Sequence, residues 1–197
     1  MHQSYTASKP AVWLTAVSRT SSTAFGSAFV GAALVLTSFL AVAQANSDQA
    51  QATLQAKSGS NVSGSVTLNQ TDSGLRIKAD VSGLTPNTEH GFHIHAGDNC
   101  NTPDASSAGP HFNPTDKPHG EPESIHSHAG DLPNLKANDQ GVATLTTVSP
   151  TVSLNPGQAN NVMGRTVVVH AEPDDHHSQP AGNAGARVTC GVIVATD

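Results

Sequence analysis

The segment HGFHIH occupies residues 90–95 and carries two patterns at once. Successive side chains of a β-strand point to opposite faces, so Phe92 and Ile94 share one face while His93 and His95 share the other. We predict a strand that packs its apolar face into a core and points its histidines away from that core. Along such a strand the two imidazoles lie about 6.5–7 Å apart, a spacing that suits two ligands of one metal ion.

Histidine is concentrated around this strand. Seven of the 11 histidines lie within residues 90–131, and three more lie within residues 170–177. A closed site with four side-chain ligands is the structural mode of zinc, and the long segment after the strand offers three imidazoles and a carboxylate. The alternative is a polar surface loop that happens to be rich in histidine. The predicted zinc ligands are His111, His119, His128 and Asp131.

The remaining ligands indicate a second metal. Four imidazoles in a flattened arrangement suit Cu(II), and imidazole also tolerates Cu(I). Three of the four nitrogens come from His93, His95 and His170, the last of which ends another predicted strand. The fourth would have to be shared with the zinc ligands. We interpret three further histidines as solvated surface residues, with adventitious metal binding as the alternative: His126, His176 and His177.

Short apolar runs with partial period-two alternation recur along the chain, and Gly, Asn and Asp residues separate them. Eight such runs and no convincing helix predict an all-β fold, either a β-sandwich or a closed barrel. The tetrapeptide Asn138-Asp139-Gln140-Gly141 predicts a hairpin turn between the fifth and sixth strands. The predicted strands are residues 52–57, 62–69, 75–81, 90–95, 131–137, 142–148, 165–170 and 186–194.

Residues 96–131 lose all periodicity and are rich in Gly, Pro, Asn and Asp. A structureless loop of about 35 residues is unusual in a compact domain, and it indicates function or disorder. Metal ligation and a disulfide could order this loop. The chain has two cysteines, Cys100 and Cys190. An even pair in an oxidising compartment predicts a disulfide, with two free buried thiols as the alternative.

Residues 1–45 have the features of a signal peptide. Their two basic residues come before an uncharged run, residues 24–43. Ala-x-Ala motifs ending at Ala43 and Ala45 predict cleavage near one of these two residues. An uncleaved anchor is the alternative, because about 20 apolar residues could span a bilayer. Cleavage would leave residues 46–197 as one domain without stable membrane association, in the periplasm or otherwise outside the cytoplasm.

The charge of residues 46–197 argues against one class of partner. This part holds seven Lys or Arg against 15 Asp or Glu, a formal charge of about −8. Affinity for nucleic acid comes from neutralising phosphates, so we predict no nucleic-acid partner. Anionic lipid would repel the same surface.

Five segments of the chain carry a family resemblance: GFHIH (91–95), AGPHFNP (108–114), HAGDL (128–132), GRTVVVHAEPDD (164–175) and GNAGARVTCGVI (182–193). They resemble segments of the copper/zinc superoxide dismutases and occur in the order of that family. A weaker similarity covers nearly all of residues 50–194. The spacing between His95 and Cys100 and the sequence GDLP at residues 130–133 resemble the bacterial, exported branch.

The resemblance implies an eight-stranded Greek-key β-barrel or sandwich with two long functional loops. It also implies a role for each site residue: His111 bridges the two metals, Asp174 orients His93 and His119, and Arg187 receives the substrate anion. Cys100 and Cys190 would form the disulfide within the subunit. The implied ligands are His93, His95, His111 and His170 for copper, and His111, His119, His128 and Asp131 for zinc.

The implied activity is the disproportionation of superoxide to oxygen and hydrogen peroxide by a redox-cycling copper, bridged through His111 to a structural zinc. The alternative is an extracytoplasmic copper/zinc-binding domain of the same fold, a buffer or chaperone-like module without turnover. Retention of Arg187 favours the enzyme, since a binder has no need of it. The loop at residues 174–183 is shorter than in the animal and plant enzymes and lacks their Glu/Lys cluster, which leaves substrate steering open. The oligomeric state is open between monomer and homodimer.

Overall fold

The computed structural model describes residues 48–196, so the predicted signal peptide and its cleavage sites at Ala43 and Ala45 lie outside the described residues. All eight predicted strands are confirmed, with ends shifted by up to three residues, and the last one is interrupted at Ile193 to give a short ninth strand. The strands are β1 (Gln49–Ala56), β2 (Ser63–Thr71), β3 (Gly74–Ser82), β4 (Glu89–His95), β5 (Asp131–Lys136), β6 (Ala143–Ser149), β7 (Thr166–His170), β8 (Arg187–Val192) and β9 (Val194–Ala195). A single 3₁₀ turn, Ser106–Ala108, is the only helical element within residues 48–196.

The strands form an antiparallel sheet in the order β5-β4-β7-β8-β1-β2-β3-β6, with β9 beside β1. Its two edge strands, β5 and β6, follow each other in the chain and lie in contact, so the sheet curls into a nearly closed barrel. Connections that skip neighbours bring β4 beside β7 and β3 beside β6. The predicted all-β fold with Greek-key crossovers is therefore confirmed.

The predicted hairpin at residues 138–141 is wrong in one respect. A tight turn does form there: Asn138 donates to the carbonyl of Val142 at 2.9 Å, and Gly141 adopts a φ of 72°. The strands on either side share no ladder, because β5 pairs with β4 and β6 pairs with β3. Turn chemistry specifies where the chain reverses, whereas the rest of the sheet decides which strands pair.

The predicted alternation of β4 is confirmed. Phe92 and Ile94 are fully buried in the main hydrophobic core, together with Val167 and Val169 of the neighbouring β7. Val168 points the other way and packs in a separate small cluster outside the barrel core. On β4 and β7, every second side chain therefore fills the barrel interior. The side chains between them point to the outer face of the barrel, where the site lies.

His93 and His95 of β4 point to the outer face of the barrel, yet they are not exposed. His93 and His95 are 0% and 1% exposed, because two long loops cover this outer face of the barrel. We call residues 96–130 the first loop and residues 171–186 the second loop. The site lies between the barrel wall and these two loops.

The first loop is ordered by covalent and hydrogen bonds. The predicted disulfide is confirmed: Cys100 in the first loop is bonded to Cys190 in β8, across 90 residues of sequence. In the loop-entropy model a crosslink over a loop of this length stabilises the fold by about 4–5 kcal/mol. The loop also continues the sheet briefly, with Phe112 donating to the carbonyl of Ile94 at 2.8 Å. Within residues 48–196 no helix is long and apolar enough to cross a membrane.

Candidate metal centre

Four histidines meet on the outer face of the barrel. His93 and His95 come from β4, and His170 ends β7, which pairs directly with β4. His111 comes from the first loop and reaches β4 through an isolated bridge to His95. One ring nitrogen from each of the four lies within 4.8 Å of the others, and all four residues are buried. We call these residues the four-histidine cluster.

The rings of this cluster are oriented by acceptors that lie outside it. A ring that donates one N–H in this way presents its other nitrogen, with a lone pair, to the centre of the cluster. His93 Nε2 donates to Asp174 Oδ2 at 2.7 Å, His95 Nδ1 donates to the carbonyl of Gly109 at 2.8 Å, and His170 Nδ1 donates to the carbonyl of Gly185 at 3.2 Å.

The inward nitrogens are where a metal ion fits. His93 Nδ1 and His111 Nε2 are buried and have no hydrogen-bond partner among the described residues. His95 Nε2 and His170 Nε2 approach to 3.3 Å. Buried polar atoms are almost always paired in folded proteins, so unpaired ring nitrogens that lie close together fit the ligands of a cation. Four imidazoles are a donor set that copper accepts in both of its common oxidation states.

Three imidazoles and a carboxylate form a second cluster, which shares His111 with the first. Asp131 Oδ1 lies 2.8 Å from His111 Nδ1 and 3.2 Å from His128 Nδ1, and Oδ2 lies 3.1 Å from His119 Nδ1. His119 Nδ1 makes no hydrogen bond within the described part of the chain, although it is buried. The four ligand atoms lie within 4.8 Å of one another, which suits tetrahedral zinc. We call these residues the three-histidine cluster.

His111 is the residue that joins the two clusters. Its Nε2 faces the four-histidine cluster and its Nδ1 faces Asp131. Its ring stacks closely on that of His93, with the centroids 3.9 Å apart. In its deprotonated form this imidazole has a lone pair on each nitrogen and can contact two cations at once.

Asp174 in the second loop contacts a ring of each cluster. Its Oδ2 accepts from His93 at 2.7 Å, and its Oδ1 accepts from His119 at 2.9 Å. Asn134 of β5 anchors the Asp174 backbone through two hydrogen bonds of 2.9 and 3.0 Å. A carboxylate fixed in this way sets the orientation of both rings.

Burial keeps the imidazoles of the four-histidine cluster neutral. It lowers the pKa of His93 to about 4 and that of His170 to about 3, and it lowers the pKa of His95 well below its usual value. Burial also lowers the pKa of His111. Neutral imidazoles have free lone pairs, and a metal binds to them without first displacing a proton.

The three-histidine cluster has the opposite electrostatics. Burial lowers the pKa of His119, but the carboxylates of Asp131 and Asp174 outweigh it and raise that pKa to about 9. Burial raises the pKa of Asp131, yet the close contacts with its three imidazole neighbours outweigh it and hold the pKa far below its usual range. The carboxylate therefore stays ionised and attracts positive charge, which a divalent cation supplies in place of a proton.

Arg187 lies at the rim of a cavity that opens onto the four-histidine cluster. Its guanidinium donates to the carbonyls of Ala105 and Gly109, both at 2.7 Å. The cavity has a volume of about 830 Å³ and is also lined by His95, His111 and His170. Apart from histidines, Arg187 is the only ionisable side chain among the described residues that line it. A small anion entering the cavity therefore meets one fixed cation beside the cluster.

Sequence reasoning missed one buried residue that supports the cluster. His90 is 3% exposed, and its Nδ1 donates to the backbone carbonyl of His170 at 2.9 Å. A histidine on the apolar parity of a strand was the available signal. The three unassigned histidines belong to neither cluster: His126 and His177 are exposed, and His176 is half-buried with Nδ1 3.6 Å from Asp174 Oδ1.

Comparison with known proteins agrees with this geometry. The family model of copper/zinc superoxide dismutase (SODC) matches residues 62–193. Superoxide dismutase [Cu-Zn] 1 of Aquifex aeolicus (strain VF5) is 44% identical over 133 residues, which cover 66% of this chain and 79% of the relative. Superoxide dismutase [Cu-Zn] 2 of the same organism is 44% identical over 135 residues, with coverages of 67% and 79%.

Solved structures show the same similarity. A SOD-like protein from Bacillus subtilis is 34% identical with a TM-score of 0.65, and the match covers 72% of this chain and 96% of that one. A double mutant of a SOD-like protein from Bacillus subtilis is 35% identical with a TM-score of 0.67, and the coverages are 74% and 97%. The clock protein EA4 is 32% identical with a TM-score of 0.70, and the coverages are 77% and 96%.

Proposed function

The chain belongs to the copper/zinc superoxide dismutase family. From this premise we propose which residues bind each metal, which residues act on the substrate, and where the enzyme is located. The family uses copper and zinc and converts superoxide into oxygen and hydrogen peroxide. We assign copper to the four-histidine cluster and zinc to the three-histidine cluster. We place the enzyme outside the cytoplasm.

One observation carries the assignment of the metals. The two clusters share His111, and three of their inward nitrogens have no hydrogen-bond partner among the described residues: His93 Nδ1, His111 Nε2 and His119 Nδ1. The other nitrogen of each of these three rings is hydrogen-bonded to a carboxylate. An arrangement built for hydrogen bonding alone would leave no buried ring nitrogen unpaired. The all-imidazole cluster matches the preference of copper, and the carboxylate-containing cluster matches that of zinc.

The protein residues then bind the substrate, orient the ligands and move a proton. Bound copper supplies one-electron redox chemistry, and bound zinc supplies a fixed positive charge. Arg187 holds superoxide beside the four-histidine cluster through its guanidinium, which remains a cation at neutral pH. His111 Nε2 would be the atom that takes up a proton in one half of the cycle and returns it in the other, because it faces the four-histidine cluster and has no hydrogen-bond partner among the described residues. Two superoxide ions and two protons become one oxygen and one hydrogen peroxide.

Metal analysis and activity test the assignment together. The exported form should bind one copper and one zinc per chain and should remove superoxide. His170→Ala should lose copper and activity while keeping zinc, because His170 belongs only to the four-histidine cluster. His126→Ala is the matched control, since this exposed histidine lies in neither cluster. Zinc binding without any copper after copper loading, or full metal content without activity, would contradict the assignment.

Two features support a location outside the cytoplasm. Residues 1–45 have the sequence of an export signal, and the Cys100–Cys190 disulfide suits an oxidising compartment. Trp13 and Tyr5 are the only Trp and Tyr of the chain and lie in this leader, so the mature protein should have almost no absorbance from either. Cell fractionation with N-terminal sequencing tests this directly. A cytoplasmic protein that retains Trp13 would overturn the proposal.

A further inference from the structure

We propose that Gln179 is a positioning residue that fastens the backbone of His119 to the second loop and so slows the release of zinc. This inference rests on the assignment of zinc to the three-histidine cluster. It concerns a side chain that lines the cavity but bonds to the backbone of a metal ligand and to no ligand atom.

The contact is a two-point hydrogen bond. Gln179 Oε1 accepts from the backbone N–H of His119 at 2.9 Å, and Gln179 Nε2 donates to the backbone carbonyl of His119 at 2.8 Å. His119 is 3% exposed and lies outside every strand, so its backbone groups have no ladder to satisfy them. The amide of Gln179 pairs with this backbone as a neighbouring β-strand would.

Gln179 is itself exposed, so its own loop has to hold it in place. Asp175 organises that part of the loop by accepting from the N–H and the hydroxyl of Ser178 at 2.8 and 2.7 Å. Asn183 donates to Asp175 and to Ser178 at 3.2 and 2.8 Å. Gln179 therefore projects from a turn that is closed on itself by side-chain hydrogen bonds.

The second loop holds His119 at two separate places. Asp174 accepts from the ring at Nε2, and Gln179 pairs with the backbone. Gly182 packs so closely against Asp174 and the His119 ring that a Cβ would overlap both. With ring and backbone both fixed, Nδ1 is kept near Asp131 at 3.1 Å. Loss of the backbone contact leaves His119 held only through its ring, by Asp174 and Asp131, so the residue can swing away from the metal more readily.

The chemistry of the contact requires glutamine. An amide offers a donor and an acceptor together, whereas a carboxylate only accepts hydrogen bonds. Gln179→Glu keeps the size and the bond to the His119 N–H, but it loses the bond to the carbonyl and places a negative charge against that oxygen. Gln179→Ala loses both bonds. The two variants therefore remove the contact in graded steps.

The test measures zinc release from the fully metal-loaded protein into excess chromogenic chelator. We expect release from Gln179→Ala to be about tenfold faster than from the unchanged protein, and release from Gln179→Glu to be intermediate, since each net hydrogen bond changes an equilibrium by a factor of a few. Gln158→Ala, which alters an exposed glutamine outside both loops, should release zinc at the unchanged rate. Amide hydrogen exchange at His119 should accelerate in Gln179→Ala and much less in Gln179→Glu, which keeps the bond to that N–H. Copper content should stay constant in both variants.

The outcomes distinguish a specific effect of Gln179 on the position of His119 from a general loosening of the whole site. The inference would be overturned if the rate of zinc release from Gln179→Ala were within twofold of the rate from the unsubstituted protein. It would also be overturned if copper were lost at the same rate as zinc. Gln179→Glu keeps the test valid if the alanine variant does not fold. Unchanged protein that binds copper but no zinc would overturn the zinc assignment, and this inference with it.

Discussion

At the scale of single residues, the site depends on which nitrogen of each imidazole ring donates a hydrogen bond. The outer ring nitrogens of His93, His95 and His170 each donate a hydrogen bond to an acceptor outside the cluster. The inner nitrogen of each ring therefore faces the centre of the cluster. His111 differs because both of its nitrogens face a cluster. The orientation of the rings therefore distinguishes the three histidines that face one cluster from His111, which faces both.

Replacing His111 should affect both metals, because it belongs to both clusters. We expect His111→Ala to lower copper and zinc content together and to reduce superoxide removal by at least about a hundredfold, in the range associated with losing an acid–base group. Elemental analysis and an activity assay on the same sample measure this. His128→Ala serves as the comparison, since it should lower zinc more than copper. Unchanged copper content in His111→Ala would contradict the bridging role.

Arg187 should affect turnover without affecting metal content. Among residues 48–196 its guanidinium bonds only to the carbonyls of Ala105 and Gly109, and it lines the cavity without joining either cluster. We expect Arg187→Ala to retain copper and zinc while kcat/KM for superoxide falls about ten- to a hundredfold, because one desolvated cation is lost beside the reaction site. Arg187→Lys should recover part of the rate, since it restores the charge but not the planar fork. Metal loss in Arg187→Ala would point to a structural role.

At the scale of elements, the disulfide joins the first loop to the strand that begins with Arg187. The carbonyl acceptors of Arg187 belong to that same loop, so the crosslink and the guanidinium contacts hold the same two elements together. The outer face of the barrel is thus made into a site by loops that the sheet alone does not order.

Removing the disulfide should therefore lower stability and activity together. We expect the double variant Cys100→Ser/Cys190→Ser to lose about 2–5 kcal/mol of unfolding free energy, the usual cost of removing a native disulfide from a small domain. Urea unfolding of the metal-loaded protein measures the loss, and kcat/KM should fall because Arg187 loses its fixed acceptors. Arg187→Ala with the disulfide intact is the control and should keep most of the stability. Equal stability of the double variant and the unchanged protein would contradict the account.

Strand alternation predicted the two faces of β4 correctly because the direction of each side chain depends only on its position along the strand. Phe92 and His93 take opposite faces whatever lies around them, and the sequence alone is enough to see it. Pairing is not local: the turn at residues 138–141 forms, yet its flanking strands pair elsewhere. Contacts to distant backbone are equally hidden, since His90 bonds a carbonyl 80 residues away and Gln179 bonds backbone 60 residues away. Nothing in residue type or spacing marks such partners.

At the scale of the whole molecule, the charge of the protein opposes its substrate. The full chain has a formal net charge of −6, whereas superoxide is an anion. The cavity wall is largely neutral, with Asn113, Pro180 and Ala181 beside the single cation of Arg187. A local positive field must therefore attract the substrate over a short range, and the second loop contributes no lysine to it.

A lysine added at the cavity wall should raise the rate of superoxide capture. We expect Ala181→Lys to increase kcat/KM about two- to fivefold at low ionic strength, because a cation at the opening raises the local concentration of an anionic substrate. The gain should vanish near 1 M salt, where the Debye length falls to about 3 Å from about 30 Å at 0.01 M. Ala159→Lys changes the net charge equally at an exposed position that does not line the cavity. Rates measured across this salt range separate the two effects: a gain confined to Ala181→Lys means local attraction, whereas equal gains in both variants would mean that net charge alone controls capture.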